Sequence, residues 1–372
     1  MEVITRRVFL KRTVSGVGGI VLAKSLGAVS VAQIPAADMS RVVVAEHHQA
    51  TDGVRIVNAA NVQSMTDESI KQLTGEASVA NAWASLLPDF RKEHVVAVKV
   101  NAINALLPTH PAVVDAITSG LIASGVPENN IIIYDALKTS AWKQRIINAG
   151  YEYNAGDTGV RCIETNEKGW GYDWDNPVTI LGRKMALSSV VTRCDHLINV
   201  PVLKWLNWTP APTLGLKNHY GSINAPDGLH GNFATACATL NSQDAIKNKT
   251  RLSVIDALFG CSTGQLNPPN FAPNSLIVSR DSVAADYVAA DMLNEERVRL
   301  KLALQRMLYI EEAAGMGLGT GDPEKMELIK LELGAPEKEE KEEVEEKPEE
   351  EVGKAVDPAH SYKTQWGSIK LM

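Results

Sequence analysis

The sequence predicts an α/β protein of two lobes, with a largely parallel sheet flanked by helices and a disordered acidic tether behind it. Three observations predict it. Short apolar runs alternate with helical patterns from Arg41 onward. Most of those runs are continuous in hydrophobicity, as strands covered on both faces are. The chain has 372 residues, 45% of them hydrophobic and 22% charged, which is more core-forming material than one small domain needs.

In chain order, strands are expected at residues 42–45, 94–100, 130–135, 178–181, 196–200, 252–257 and 275–279. Between them lies a clear helix at 111–124, with Pro111 at its first position, Val113, Val114, Ile117, Leu121 and Ile122 on one stripe, and Gly125 just past its end. A helix at 141–149 stops at Gly150 in the same way, and others are expected at 66–73, 281–293 and 295–314. Residues 151–176, rich in Gly, Asp, Asn and Tyr, read as a connection between lobes. Residues 204–232 show no periodicity and hold too many aromatic and apolar side chains for disorder, which makes them the place to look for a site.

The two ends read differently. Thr5-Arg6-Arg7-Val8-Phe9-Leu10-Lys11, a Gly- and Ala-rich apolar stretch, and Ser30-Val31-Ala32, with small residues where a signal peptidase needs them, give the order of a twin-arginine export signal. Gly16, Gly18, Gly19 and Lys24 keep the apolar stretch weak, as that route prefers over the general secretory one. A membrane anchor is disfavoured, since a span needs about 20 apolar residues and this run is interrupted. Residues 1–32 are therefore set aside from the folded domain, 33–336. The mature protein is expected to be periplasmic or otherwise exported, soluble, and a client of the twin-arginine machinery. Residues 337–354 hold ten Glu and four Lys, an acidic linker that buries no apolar area. Residues 355–372 regain Tyr362, Trp366, Ile369 and Leu371 and read as a segment that docks on the domain or on a periplasmic protein partner.

Charge narrows the function. Lys and Arg number 37 against 44 Asp and Glu, a net charge of -7, so no surface is built to neutralise nucleic-acid phosphates. Removing the leader leaves -11, of which -6 sits in the acidic linker and +1 in residues 355–372, so the domain itself carries an ordinary -6. Cys162, Cys194, Cys237 and Cys261 lie 32, 43 and 24 residues apart, with no C-x-x-C pair, which argues against a ferredoxin-type iron-sulfur cluster. One disulfide and four small buried thiols both fit that spacing. No metal signature, Walker loop, G-x-S-x-G or dinucleotide fingerprint is present. His47 and His48 are adjacent and would point opposite ways on a strand, so no metal site is assigned to them.

The densest polar cluster is Leu203-Lys204-Trp205-Leu206-Asn207-Trp208 followed by Thr213-Leu214-Gly215-Leu216-Lys217-Asn218-His219-Tyr220-Gly221-Ser222. It follows the strand at 196–200, and ligands of open parallel sheets bind at strand carboxyl ends. Lys204, Lys217, Asn218 and Ser222 are donors for an anion, and His219 and His230 are candidates for moving protons. Lys99 and Asn101 at one strand end and Asp256 at another are expected to face the same cleft, with Asp135 as a further strand-end carboxylate. Thr109-His110-Pro111 either helps to hold an anion or simply caps the following helix.

Several of these stretches together resemble the bacterial and archaeal family catalogued as "domain of unknown function 362". They are Leu73-Thr74-Gly75 before Ala82-Trp83, Val98-Lys99-Val100-Asn101, Thr109-His110-Pro111, residues 131–135, Asn199-Val200-Pro201-Val202-Leu203-Lys204, the Thr213 to Ser222 run, and Arg251-Leu252-Ser253-Val254-Ile255-Asp256-Ala257. The likeness covers about residues 40–320. It implies a branch exported by the twin-arginine route. It also implies a plan distantly similar to two-lobed racemases that use Lys and His between lobes, an analogy of fold that carries no activity. Many relatives carry ferredoxin-like cysteines, which this chain lacks, and commonly a His soon after Val-Leu-Lys, where this chain has Trp205, Leu206 and Asn207. Two functions follow: an enzyme that binds a small anionic substrate or a cofactor of unknown identity in its cleft, or a non-catalytic binding or assembly module.

Overall fold

Runs of valine, isoleucine and leucine make the strands of one sheet. The computed structural model describes residues 39–135, 142–207, 211–304 and 306–334. Its strands are β1 (Ser40–His47), β2 (Val96–Lys99), β3 (Ile131–Asp135), β4 (Arg161–Glu164), β5 (Val178–Ile180), β6 (Arg183–Met185), β7 (His196–Asn199), β8 (Val202–Leu206), β9 (Ala211–Pro212), β10 (Thr250–Cys261), β11 (Ser275–Ser279) and β12 (Met326–Leu333). Ten of them form a sheet with the order β12-β1-β11-β10-β7-β2-β3-β4, with β8 beside β10 and β9 beside β8; β5 and β6 pair separately. Most pairings are parallel, and β11 is the antiparallel strand between β1 and β10. The α/β class with a mostly parallel, helix-flanked sheet is thus what the chain adopts. Where two lobes were expected, the described strands of the large sheet run continuously from β12 to β4.

Helices cover both faces. One face carries α1 (Ala59–Thr74), α2 (Val79–Ser85) and α3 (Pro111–Ala123), whose Met65, Ile70, Trp83, Val113 and Ile117 join Val96, Val98, Ile131 and Ile133 in one buried cluster. After α4 (Trp142–Asn148) and α5 (Ser189–Arg193) come α6 (Gly215–Asn218), α7 (Phe233–Asn241), α8 (Asp244–Lys247), α9 (Ser282–Arg299) and α10 (Leu308–Gly315). The other buried cluster joins Phe233, Ala236, Val283, Ala284 and Ile310 to Ala97, Tyr134 and Leu197. Strand side chains alternate, so Lys99 and Asn199 share the face of Ala97 and Leu197.

Some elements differ from expectation for physical reasons. α1 starts about two turns before residue 66 because the Asn58 side chain accepts from the backbone N of Ala60 and Asn61, and Val62 continues the buried stripe. α9 runs through residue 294 to Arg299, where a break was expected, because Arg297 is anchored: it donates to Ser262 O at 2.7 Å and stacks 4.0 Å over Trp205. The irregular stretch from 204 contains β8, all five of whose residues are buried, and then turns of 3-10 type at His219–Ser222 and Pro226–Asn232. Of the two readings of the cysteines, free and buried thiols are what the structure holds. The leader with Arg6 and Arg7, the acidic linker and residues 355–372 lie outside the described residues. Among the described residues, no helix is long and apolar enough to cross a membrane.

Candidate functional site

Parallel strands end on one edge, and there the chain concentrates its buried polar groups. β2 ends at Lys99, β3 at Asp135 and β7 at Asn199; register sets Lys99 between Tyr134 and Asn199. The Lys99 ammonium is fully buried, 2.7 Å from Asp135, and donates to Val100 O and Asn218 Oδ1. Burial pushes its pKa down, against the pull of Asp135. Asn218 bridges the group. Its Oδ1 also accepts from Asn101 Nδ2 at 3.1 Å, and its Nδ2 donates to Asn199 Oδ1 at 2.8 Å.

Lys204 arrives from β8 and donates to Asn101 Oδ1 at 2.7 Å and to Leu107 O at 3.0 Å. It is 1% exposed, and no carboxylate stands within ion-pair distance of it among the described residues. Burial therefore lowers its pKa to about 7, with Asp135 and Asp256 opposing from farther away. Asp256, in β10, accepts from the backbone N of His110 at 2.7 Å and of Leu258 at 3.1 Å. Its own burial raises it to about 6. Lys99, Asn101, Lys204 and Asn218 are thus brought together, with Asp256 beside them.

Loop geometry holds this edge. The Thr109 hydroxyl accepts from Asn101 N and donates to Val200 O, pinning the loop after β2 to the end of β7. Behind Asn218, α6 is fixed by Asp286 of α9, whose two oxygens accept from Gly215 N at 2.6 Å and Leu216 N at 2.9 Å. Gly221 lies against the ion pair: a Cβ there would overlap Asp135 Oδ1 and come within 2.8 Å of Lys99 Nζ.

The other expected residues sit apart. Ser222 bonds Tyr134 OH at 2.8 Å, and His219 Nδ1 bonds Ser222 Oγ at 3.1 Å. His219 is buried, and burial with nearby Lys99 drives its pKa down to about 3, so the ring is neutral. Lys217 does not reach Asn101. It is partly buried, with its ammonium 3.5 Å from the Tyr220 ring centroid, and burial lowers it to about 8. His230 packs edge-on against the same tyrosine at 5.3 Å, with Nδ1 on Asp227 O. His110 does cap α3: its Nδ1 accepts from Ala112 N. Among the described residues, no cluster of three or more His, Cys, Asp or Glu is placed to hold a metal ion.

One opening lies beside this group and touches it at Asp256; Lys99 and Lys204 are not on its wall. A small pocket of about 100 Å³ is lined by His110, Asp256, Leu107, Phe259 and Arg55, so the residue whose carbonyl holds Lys204 also forms a wall. Sequence reasoning missed Asn199, Gly221 and Asp286. The strand-end rule that found Lys99 also points to Asn199, while Asp286 lies in a helix interior and carries no local signal.

The sequence profile of the family described as "domain of unknown function (DUF362)" matches residues 96–291, which span every one of these groups except Arg55. No curated protein matches the chain significantly. Among solved structures, a structural-genomics protein from Thermotoga maritima is 13% identical with TM-score 0.37, over 58% of each chain. The lactate racemase apoprotein from Thermoanaerobacterium thermosaccharolyticum is 10% identical with TM-score 0.33, over 67% of this chain and 56% of that one.

Proposed function

The chain belongs to the DUF362 family, and from that premise we propose that it is an exported enzyme acting on a small anionic substrate at the Lys204 edge of its sheet. The observation that carries this reading is Lys204 itself. A fully buried ammonium held, among the described residues, by two neutral oxygens alone is costly to keep, and a stability-driven core would replace it. Its lowered pKa, about 7, leaves a substantial share of free amine at neutral pH, suited to taking a proton or adding to a carbonyl. Asp256, raised to about 6, is a matched partner able to hold or release a proton at the pocket wall. Lys99, 2.7 Å from Asp135, stands behind the site.

The test is native mass spectrometry of the full chain purified from its own host, beside Lys204→Met. The expected result is a small-molecule adduct or turnover of an anionic metabolite that the variant loses while remaining folded by circular dichroism. Retention of both by the variant overturns the reading. For the leader, Arg6→Lys with Arg7→Lys is expected to leave the precursor in the cytoplasm; undiminished export would remove the twin-arginine branch. Residues 355–372 remain the proposed contact for a periplasmic partner, checked by whether a co-purifying protein is lost on cutting after Pro336.

A further inference from the structure

The mouth of the pocket is apolar where a soluble surface is ordinarily polar. Val54 is 76% exposed, Leu106 63% and Leu266 54%, and Val54 and Leu106 both line the opening. They stand on three different loops joined to one another. The Thr51 hydroxyl donates to Asn274 Oδ1, and Asn104 Nδ2 donates to Gln265 O at 3.1 Å and Asn267 O at 2.9 Å. The rim is therefore a built collar. Asp52 shapes its first loop by accepting from the backbone N of Val54, Arg55 and Ile56, which turns Val54 and Arg55 outward together.

Two polar groups of the pocket have no protein partner among the described residues. The Arg55 guanidinium makes no hydrogen bond or ion pair there. His110 accepts through Nδ1, so its neutral ring carries the proton on Nε2, and that N–H is unbonded. A cationic fork beside an imidazole N–H matches a carboxylate. About 100 Å³ holds such a head and little more, so the rest of a ligand lies on the collar.

We propose that this site takes an amphipathic organic anion, its carboxylate between Arg55 and His110 and its hydrocarbon part across Val54, Leu106 and Leu266. The proposal rests on the reading of the Lys204 edge as a small-anion site and names the class of ligand. Straight-chain carboxylates from acetate to decanoate, each below its micellar concentration, are titrated calorimetrically into the full chain. Affinity is expected to rise roughly twofold to fourfold per methylene over the first several carbons. Arg55→Ala is expected to weaken every member at least threefold, and Val54→Asn with Leu106→Asn, which adds no charge, to flatten the chain-length series so that decanoate falls toward acetate. Both variants lie on exposed loops, and circular dichroism and melting temperature verify their folding. Equal affinity for acetate and decanoate overturns the amphipathic ligand while the small-anion reading stands. No binding by any carboxylate to the folded chain overturns the carboxylate site, while the Lys204 reading is decided by the Lys204→Met comparison.

Discussion

Lys204 is the side chain on which most turns, and its ionisation gives it a signature separate from activity. Its folded pKa of about 7 lies below its ordinary 10.5. Between those values the unfolded chain holds a proton that the folded chain does not, so stability rises with pH there; below about 7 the burial cost is present in full. Lys204→Met lacks this dependence. Wild type is expected to gain on the variant by up to about 1.4 kcal/mol per pH unit from pH 7 to 9, read by urea denaturation at each pH. Parallel curves would mean that Lys204 is not a desolvated ammonium. Gly221 makes a second residue-scale case. Alanine there places a methyl on the Lys99–Asp135 pair, and overpacking is expected to cost about 1–3 kcal/mol. Gly231→Ala, which meets nothing within 4 Å, is the control and should stay within about 0.5 kcal/mol.

At the scale of elements, most of the strands legible in the sequence were those buried on both faces, because continuous Val and Ile runs need no partner to be recognised; β5 is the half-exposed exception. β3 and β11 emerge at almost the residues expected. β12 was missed although Met-Glu-Leu-Ile-Lys-Leu-Glu-Leu alternates; its half-buried pattern and charges suit an edge strand, whose existence depends on β1 lying alongside. β8 was missed because a lysine between leucine and tryptophan reads as surface, and only the strand-edge acceptors Asn101 and Leu107 make its burial tolerable. The four-residue α6 has no propensity of its own and depends on Asp286. Burial raises Asp286 from 3.8 to about 7, so the folded chain retains a proton that the unfolded one loses, and its contribution falls as pH rises through that window. Asp286→Asn is expected to cost about 1 kcal/mol at pH 5 and less at pH 8, measured by chemical denaturation. A gap that widens with pH would show that the carboxylate is charged in the fold.

Across the whole molecule, the candidate site was half legible. Topology brings Lys99 and Asn101 to one edge because β2 and β7 end together, a rule that needs only the strand assignment, whereas Asp256, expected at a strand end, and Lys204 join them from within β10 and β8, which run past that edge. The rule does not say which way a loop residue turns after the edge: Lys217, one position before Asn218, swings to Tyr220. The same burial sets a global titration. His196, lowered to about 4, and His219, lowered to about 3, stay neutral in the fold, and their contribution is lost as pH falls below 6.5. Asp256 and Asp286 oppose them, but only up to about pH 7. From there Lys204 and Lys217, at about 7 and 8, make stability climb with pH, on the order of 1 kcal/mol per unit. Above pH 9 the sign reverses, because Cys162, Cys194 and Cys237, each raised to about 12 by burial, ionise first in the unfolded chain. The melting temperature is therefore expected to peak near pH 9, above the usual range of about 5–8. Combining Lys204→Met with Lys217→Met should bring the peak back into that range. A wild-type melting temperature that falls steadily from pH 7 upward would show that these lysines are solvated, and with that the physical basis for a neutral amine at the site would go.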